Sequence, residues 1–344
     1  MNKIYYHEIS FIRGIACLLV VLTHITLGYD NTHYTLANQL NLTINQLARV
    51  GTPIFALISG FLLFNSTKTK EIMIKPFYIS RFNKIYIPYL FWTAIYLVVG
   101  QATHTHPFNS HKILQYLFLG EGYVHLYFII IVLQFYIIFP FIARVINQKN
   151  IIKYTLFSLI IMILWYFVRS DNPFKVIYFR AILLSWIGYF FMGGVLAYYT
   201  EEIRRYTVKY FFTLILFVVI CIMAMLIEID LPHLFQSDRV LNIVYVPIFT
   251  LFFFLLYDKI KDTKLQHFIT YVGNLSMGFY LVHLLIIGGL STYMPSWFWQ
   301  PPYSLLHYIL TIIFTALFIE FLLLFPYGYK ILPVAREKSG YKRH

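Results

Sequence analysis

Arg13 and His24 are the two side chains whose type and spacing first suggest chemistry. They lie in the apolar stretch Glu8-Ile-Ser-Phe-Ile-Arg-Gly-Ile-Ala-Cys-Leu-Leu-Val-Val-Leu-Thr-His24, eleven residues apart, and the pattern reads as a membrane helix. At about 100° per residue that interval is roughly three turns plus 20°, so both side chains point to one side. Their axial separation is roughly 16 Å, about half of a hydrocarbon core near 30 Å. A guanidinium and a titratable ring on one face are costly in lipid and belong in a bundle interior or a wet cavity. The chemistry on offer is proton abstraction from a hydroxyl by an imidazole whose ordinary pKa is about 6.5, near a cation that can hold an anion. The plain alternative is a boundary anchor and a packed core histidine.

Other segments carry weaker signals of the same kind. Arg81 and Lys84 in Ser-Arg-Phe-Asn-Lys-Ile-Tyr-Ile-Pro88 are three residues apart, neighbours on one helical face. They suit a clamp for anionic phosphates or a simple interfacial anchor. Pro88 has no donor and crowds the carbonyl of Lys84, so a helix starts or kinks there. Gly51-Thr-Pro-Ile-Phe-Ala-Leu-Ile-Ser59-Gly60 reads first as close helix packing, with the Ser59 hydroxyl free to bond backbone or substrate. Glu121 and His125 open a later apolar segment and suit an access path for a polar acceptor. Tyr280 and His283 lie in another segment at a depth near that of His24, which points to a shared polar cavity. Glu320 is an intramembrane acid without an evident partner. His104, His106 and His111 have no acidic or cysteine partner nearby, so no metal is expected. Cys17 and Cys221 sit in apolar runs and read as packing residues. There is no phosphate-binding P-loop and no dinucleotide fingerprint.

These residues need helices in a bilayer to position them. The chain has 344 residues, 60% hydrophobic and 12% charged, with a mean hydropathy of +0.69, which excludes an ordinary soluble domain. Ten spans are expected, at about 10–29, 45–65, 85–102, 124–143, 152–168, 180–199, 208–228, 240–257, 271–290 and 303–326. They form one all-α transmembrane domain over 1–344 with no appended soluble domain. Twenty of the 27 Lys and Arg residues fall in the N-terminal segment or after even-numbered spans, six fall on the other side, and Arg13 sits at a boundary. That asymmetry predicts cytoplasmic termini. It also accounts for the net charge of +13 without nucleic acid as a partner. The basic connection 66–84 is expected to be interfacial, and 103–123 is expected to hold a re-entrant or surface helix. No cleavable signal peptide is recognisable.

Taken together, Arg13-x10-His24, the Ser-Gly-Phe-Leu of the second span, Arg81-x2-Lys84 before Pro88, and Tyr280-Leu-Val-His283 resemble acyltransferase family 3. The resemblance covers about residues 5–330. It implies a multi-pass protein of the bacterial cytoplasmic membrane, with about ten helices. Such a protein moves an acyl group, acetyl or succinyl, from cytoplasmic acyl-CoA to a hydroxyl of an extracytoplasmic polysaccharide or cell-envelope glycan. Acyl-CoA is then a co-substrate and no bound cofactor is implied. His24 becomes the catalytic histidine, with Arg13, Arg81 and Lys84 holding the donor. A glycan synthase or a separate extracytoplasmic transferase becomes a candidate partner. The sequence departs from the family pattern at Ser10, where an acid is common, at Lys84, where a second arginine is common, and at Tyr127 or Phe128, in place of a tryptophan. The phrases Gly-Thr-Pro, Ser-Arg-Phe and Ile-Pro-Tyr-Leu are similar to a subgroup from poly-N-acetylglucosamine loci, described both as exporters and as O-succinyltransferases. Export without acyl transfer is therefore the competing expectation, against which stands the absence of any inverted repeat.

Overall fold

The computed structural model describes residues 7–28, 35–68, 71–105, 108–170, 181–230 and 236–334. Within these the chain is helical and has no strand. In order the helices are α1 (His7–Leu27), α2 (Leu36–Ala48), α3 (Gly51–Thr67), α4 (Ile74–Arg81), α5 (Ile87–Ala102), α6 (Ile113–Phe118), α7 (Tyr127–Val145) and α8 (Ile151–Ser170). Then follow α9 (Ile187–Tyr198), α10 (Thr200–Lys209), α11 (Phe211–Ile227), α12 (Asn242–Lys259), α13 (Lys264–Asn274), α14 (Ser276–Tyr293), α15 (Ser304–Leu323) and α16 (Gly328–Ile331).

Among the described residues, eight helical stretches are long and apolar enough to cross a membrane, and nine if α10 and α11, bent by 89°, count as one span. Two of them join neighbouring helices: Leu36–Thr67 and Ile74–Ala102. The expected span at 180–199 is realised as α9, whose 12 residues reach only about 18 Å. A 3-10 turn at Leu183–Ser185 precedes it. Large apolar side chains on the helices stand exposed, such as Phe212 at 85% and Leu317 at 60%, as required of a protein whose solvent is lipid tails. This is a multi-pass membrane protein. Lys3, Arg336, Lys338, Lys342 and Arg343 lie outside the described residues.

Helix α1 runs through the middle of the bundle and packs on α2, α3, α12, α13, α14 and α15. Its crossing with α13 is backbone on backbone. A Cβ on Gly14 would stand 1.9 Å from the Ile269 carbonyl oxygen, and one on Gly273 would stand 1.8 Å from that of Ser10. The α3–α9 crossing has the same character, with Gly60 against the carbonyl of Phe190 and Gly193 against that of Leu57, both at 2.0 Å. Small residues are what permit such approach in lipid, where packing and not water exclusion holds helices together.

The C-terminal end of α1 has carbonyls without intrahelical donors, and α2 supplies them. Asn45 Nδ2 donates to the Thr23 carbonyl at 3.0 Å and to Thr26 Oγ1 at 2.8 Å, and Asn41 Nδ2 donates to the Thr26 carbonyl at 3.0 Å. A buried ionic cluster fixes α2 in turn. Arg239 donates to Glu228 at 2.7 Å, to Asn242 at 3.0 Å and to the Gln46 carbonyl at 3.3 Å, while Tyr245 donates to Glu228 at 2.6 Å. Arg169 pairs with Asp238 beside it.

Pro88 behaves as its chemistry dictates. The five residues Phe82–Tyr86 form a π-helical turn between α4 and α5, which widens the helix where a proline ring would otherwise strike the carbonyl four residues back. The expected surface helix in 103–123 is α6, preceded by a 3-10 turn at Ser110–Lys112.

Candidate functional site

A cavity of about 170 Å³ opens beside α1, walled by Arg13 together with Ser59, Phe128, Tyr136, Ser276 and Tyr280. Arg13 Nη2 donates to Ser276 Oγ at 2.8 Å. Ser276 and Met277 are the first residues of α14 and line the same cavity, so amide N–H groups without intrahelical acceptors lie beside the guanidinium. Both favour an anion or a polarised carbonyl there. Ser59 Oγ donates to the Phe55 carbonyl at 2.8 Å, which satisfies its proton and leaves its lone pairs for the cavity. The Arg81 guanidinium lies 5.0 Å from the ring of Tyr136 and 5.0 Å from that of Phe77, in cation–π range. Arg81 is not itself on the cavity lining, but it packs against Tyr136, which is. Lys84, within the π-helical turn, is exposed.

Behind Tyr280 lie three imidazoles. The rings of His24 and His283 are 5.2 Å apart, those of His125 and His283 are 5.3 Å apart, and those of His125 and Tyr280 are 5.1 Å apart. His283 is fully buried and His125 is 2% exposed. His283 Nδ1 lies 2.8 Å from the Phe279 carbonyl; as a carbonyl only accepts, Nδ1 carries the proton in the neutral ring and Nε2 keeps its lone pair. Among the described residues no group bonds that Nε2, nor either ring nitrogen of His125. A buried polar atom without a partner calls for a bound water, an ion or a chemical role. His24 itself occupies the last turn of α1. Its ring packs on that of His283 from α14, while α2 bonds the carbonyls of Thr23 and Thr26 at the same end of α1.

A family model described as an acyltransferase domain matches residues 6–324. The chain belongs to acyltransferase family 3. Two relatives of this family member are named "probable poly-beta-1,6-N-acetyl-D-glucosamine export protein". One is from Staphylococcus aureus (strain MSSA476), 25% identical over 312 residues, with 83% of each chain covered. The other is from Staphylococcus epidermidis, 28% identical over 314 residues, covering 83% of this chain and 82% of that one. No solved structure matches.

The remaining candidates of this acyltransferase-family chain divide by location. His125, Tyr280 and His283 gather at His24, and Ser59 faces the cavity with Arg13. Glu121 is half-buried in the turn after Gly120, whose φ is +75°, four residues before His125. Glu320 stands apart: it is exposed on α15 and accepts a hydrogen bond from Tyr271 at 2.9 Å, the partner that the sequence did not reveal. His106 lies outside the described residues, and no group of three metal-ligating side chains occurs among the described ones. Two residues escaped sequence reasoning. Tyr96 and Tyr123 stack at 4.4 Å, and the Tyr96 ring lies 5.1 Å from that of His125. Tyr96 also donates to the Leu281 carbonyl at 2.8 Å. In a chain with 30 tyrosines nothing local marks these two.

Proposed function

We propose that the protein is an O-acyltransferase that moves an acetyl or succinyl group from acyl-CoA to a hydroxyl of an extracytoplasmic glycan. The observation that carries this reading is the placement of Tyr280. It lines the Arg13 cavity on one side and touches the imidazole cluster on the other, so a cationic chamber and a basic one meet at a single side chain. Acyl-CoA is a thioester on a polyanionic handle, which suits Arg13, Arg81 and the N-terminus of α14 on the donor side, with exposed Lys84 at the rim. The glycan hydroxyl would approach past Glu121 and His125. His24 takes its proton as the oxygen attacks the thioester carbonyl. The new C–O ester bond forms, the C–S bond breaks, and the proton ends on the departing CoA thiolate. Transfer through an acyl-imidazole on His24 conserves the same atoms in two steps. His283, with a free Nε2 beside His24, relays or holds the proton. Cytoplasmic termini, as the charge asymmetry predicts, put the donor chamber on the side where acyl-CoA is found.

The experiment is CoA release by the purified full chain, with acetyl-CoA and succinyl-CoA, compared between wild type and His24→Ala. Turnover of one thioester that disappears in a folded His24→Ala is expected. If neither thioester binds nor turns over, the reading fails and glycan export replaces it. Export is supported by the names of the staphylococcal relatives, and labelled glycan movement across proteoliposomes tests it.

A further inference from the structure

A second cavity lies apart from the Arg13 chamber and shares no lining residue with it. It measures about 540 Å³ and lies among α3, α8, α9, α10, α11 and α12, within the size range of sites that hold small ligands. Its walls are almost wholly apolar. The hydroxyls of Thr155, Thr207 and Thr250 on its lining are already bonded to carbonyls of their own helices at 2.7 to 2.8 Å, so the hollow asks for hydrocarbon and not for a polar solute.

Helix α10 shows where such a chain would enter. Ile203, Tyr206, Thr207 and Tyr210 line the hollow at intervals of three and four residues, one stripe of an amphipathic helix. That stripe normally buries itself on protein; here it overhangs the cavity. The 89° turn into α11 lays α10 across the bundle, and Tyr206, Tyr210 and Phe217 on the lining are about half exposed, at 52%, 50% and 49%. The rim beside them is cationic. Arg205 lies 5.5 Å from the Tyr206 ring and Lys209 lies 5.1 Å from the Tyr210 ring, while Lys259 lies 5.5 Å from the ring of Phe211, which follows Tyr210 in the chain and is not on the lining. None of the three has a carboxylate within ion-pair distance among the described residues. Asp258, next to Lys259, is occupied by Arg204 through bonds of 3.1 and 2.6 Å. Glu201 and Glu202 sit at the opposite end of α10 from Lys209, four and three residues before Arg205 but without an ion pair to it.

We propose that this hollow is a binding site for one anionic phospholipid, with an acyl chain behind α10 and the phosphate at Arg205, Lys209 and Lys259. Apolar walls select the chain and three cations without partner acids select the negative headgroup. The site is independent of the acyl-transfer reading, and its test does not use activity.

The full chain is reconstituted with equimolar palmitoyl-oleoyl phosphatidylglycerol and phosphatidylcholine, extracted gently, and weighed by native mass spectrometry. Wild type is expected to retain phosphatidylglycerol in preference to phosphatidylcholine. Each exposed cation reversed (Arg205→Glu, Lys209→Glu, Lys259→Glu) lowers that preference by about fivefold. Thr213→Trp, at an exposed lining position on α11, fills the hollow and removes retention of both lipids. Equal retention of the two lipids by wild type overturns the proposal. So does unchanged retention in Thr213→Trp, or a dimer that Thr213→Trp converts to monomer with no lipid lost. The charge reversals lie on the surface and decide the matter even if Thr213→Trp does not fold.

Discussion

The Tyr280 hydroxyl donates a hydrogen bond to the backbone carbonyl of His125, tying α14 to the turn that precedes α7. That bond closes the wall between the cationic chamber and the imidazoles. Tyr280→Phe keeps the ring and removes the bond, which costs about 0.5 to 1.5 kcal/mol in net interaction. If His125 is positioned by it, turnover falls roughly twofold to tenfold while the KM for acyl-CoA stays constant, because Arg13 is untouched. Steady-state CoA release over a range of donor concentrations separates the two. A raised KM with unchanged kcat would place Tyr280 in donor binding instead.

Arg13 and Ser276 make the complementary prediction. A hydrogen bond to a charged group is worth about 1.5 to 3 kcal/mol, so Arg13→Gln should weaken donor binding roughly tenfold to hundredfold. Ser276→Ala should have a smaller effect of the same sign, since the guanidinium remains. Binding of CoA itself, followed by calorimetry, checks both without any need for turnover. Equal affinity in wild type and Arg13→Gln would remove Arg13 from the donor site.

The glycine crossings can be tested against an internal control. A Cβ on Gly14 or Gly273 would lie within 2 Å of a carbonyl oxygen, so Gly14→Ala and Gly273→Ala force α1 and α13 apart. Overpacking of this kind costs about 1 to 3 kcal/mol and more where the neighbour is backbone. Gly288 lies within α14 with nothing within 4 Å of its would-be Cβ, and Gly288→Ala should raise stability by up to about 1 kcal/mol. Thermal unfolding in detergent, reported by tryptophan fluorescence, should show the opposite signs.

Two arginine–carboxylate pairs differ in burial and should differ in worth. The Arg239–Glu228 side chains are 0% and 5% exposed, whereas those of Arg204–Asp258 are 38% and 30% exposed. Arg239→Ala strands a buried carboxylate, which costs about 3 to 5 kcal/mol, and releases α2 from its Gln46 contact. Arg204→Ala should cost about 1 kcal/mol or less. The same unfolding assay ranks them; similar losses would mean that the Arg239 cluster is hydrated.

Helical periodicity and the apolar runs made most of this architecture legible. The arginine and histidine of α1, and the proline that distorts the α4–α5 passage, were visible because a charge in an apolar run or a missing N–H has a local physical cost. What stayed hidden depends on contacts remote in sequence. The matching depths of His24 and His283 pointed to a shared cavity, but that His125 joins them follows only from the convergence of α1, the turn before α7, and α14. No spacing along the chain encodes that Tyr96 would cover His125, or that Glu320 would turn outward to Tyr271. The length of α9 was overestimated because hydropathy marks the apolar segment around Leu183–Ser185 without registering that its backbone leaves the α-helix.

The crossing of Gly14 and Gly273 has a mechanical consequence. Helices separated by side chains can slip by a rotamer or a turn, since the intervening layer repacks. Here carbonyl oxygens of one helix occupy the space that a methyl group on the other would need, and α3 and α9 are joined in the same way. Neither pair can ratchet without first separating. The two crossings therefore act as fixed pins in the bundle, and any opening that admits a substrate must come from parts joined through side chains, such as the Tyr280 wall or the turn carrying His125.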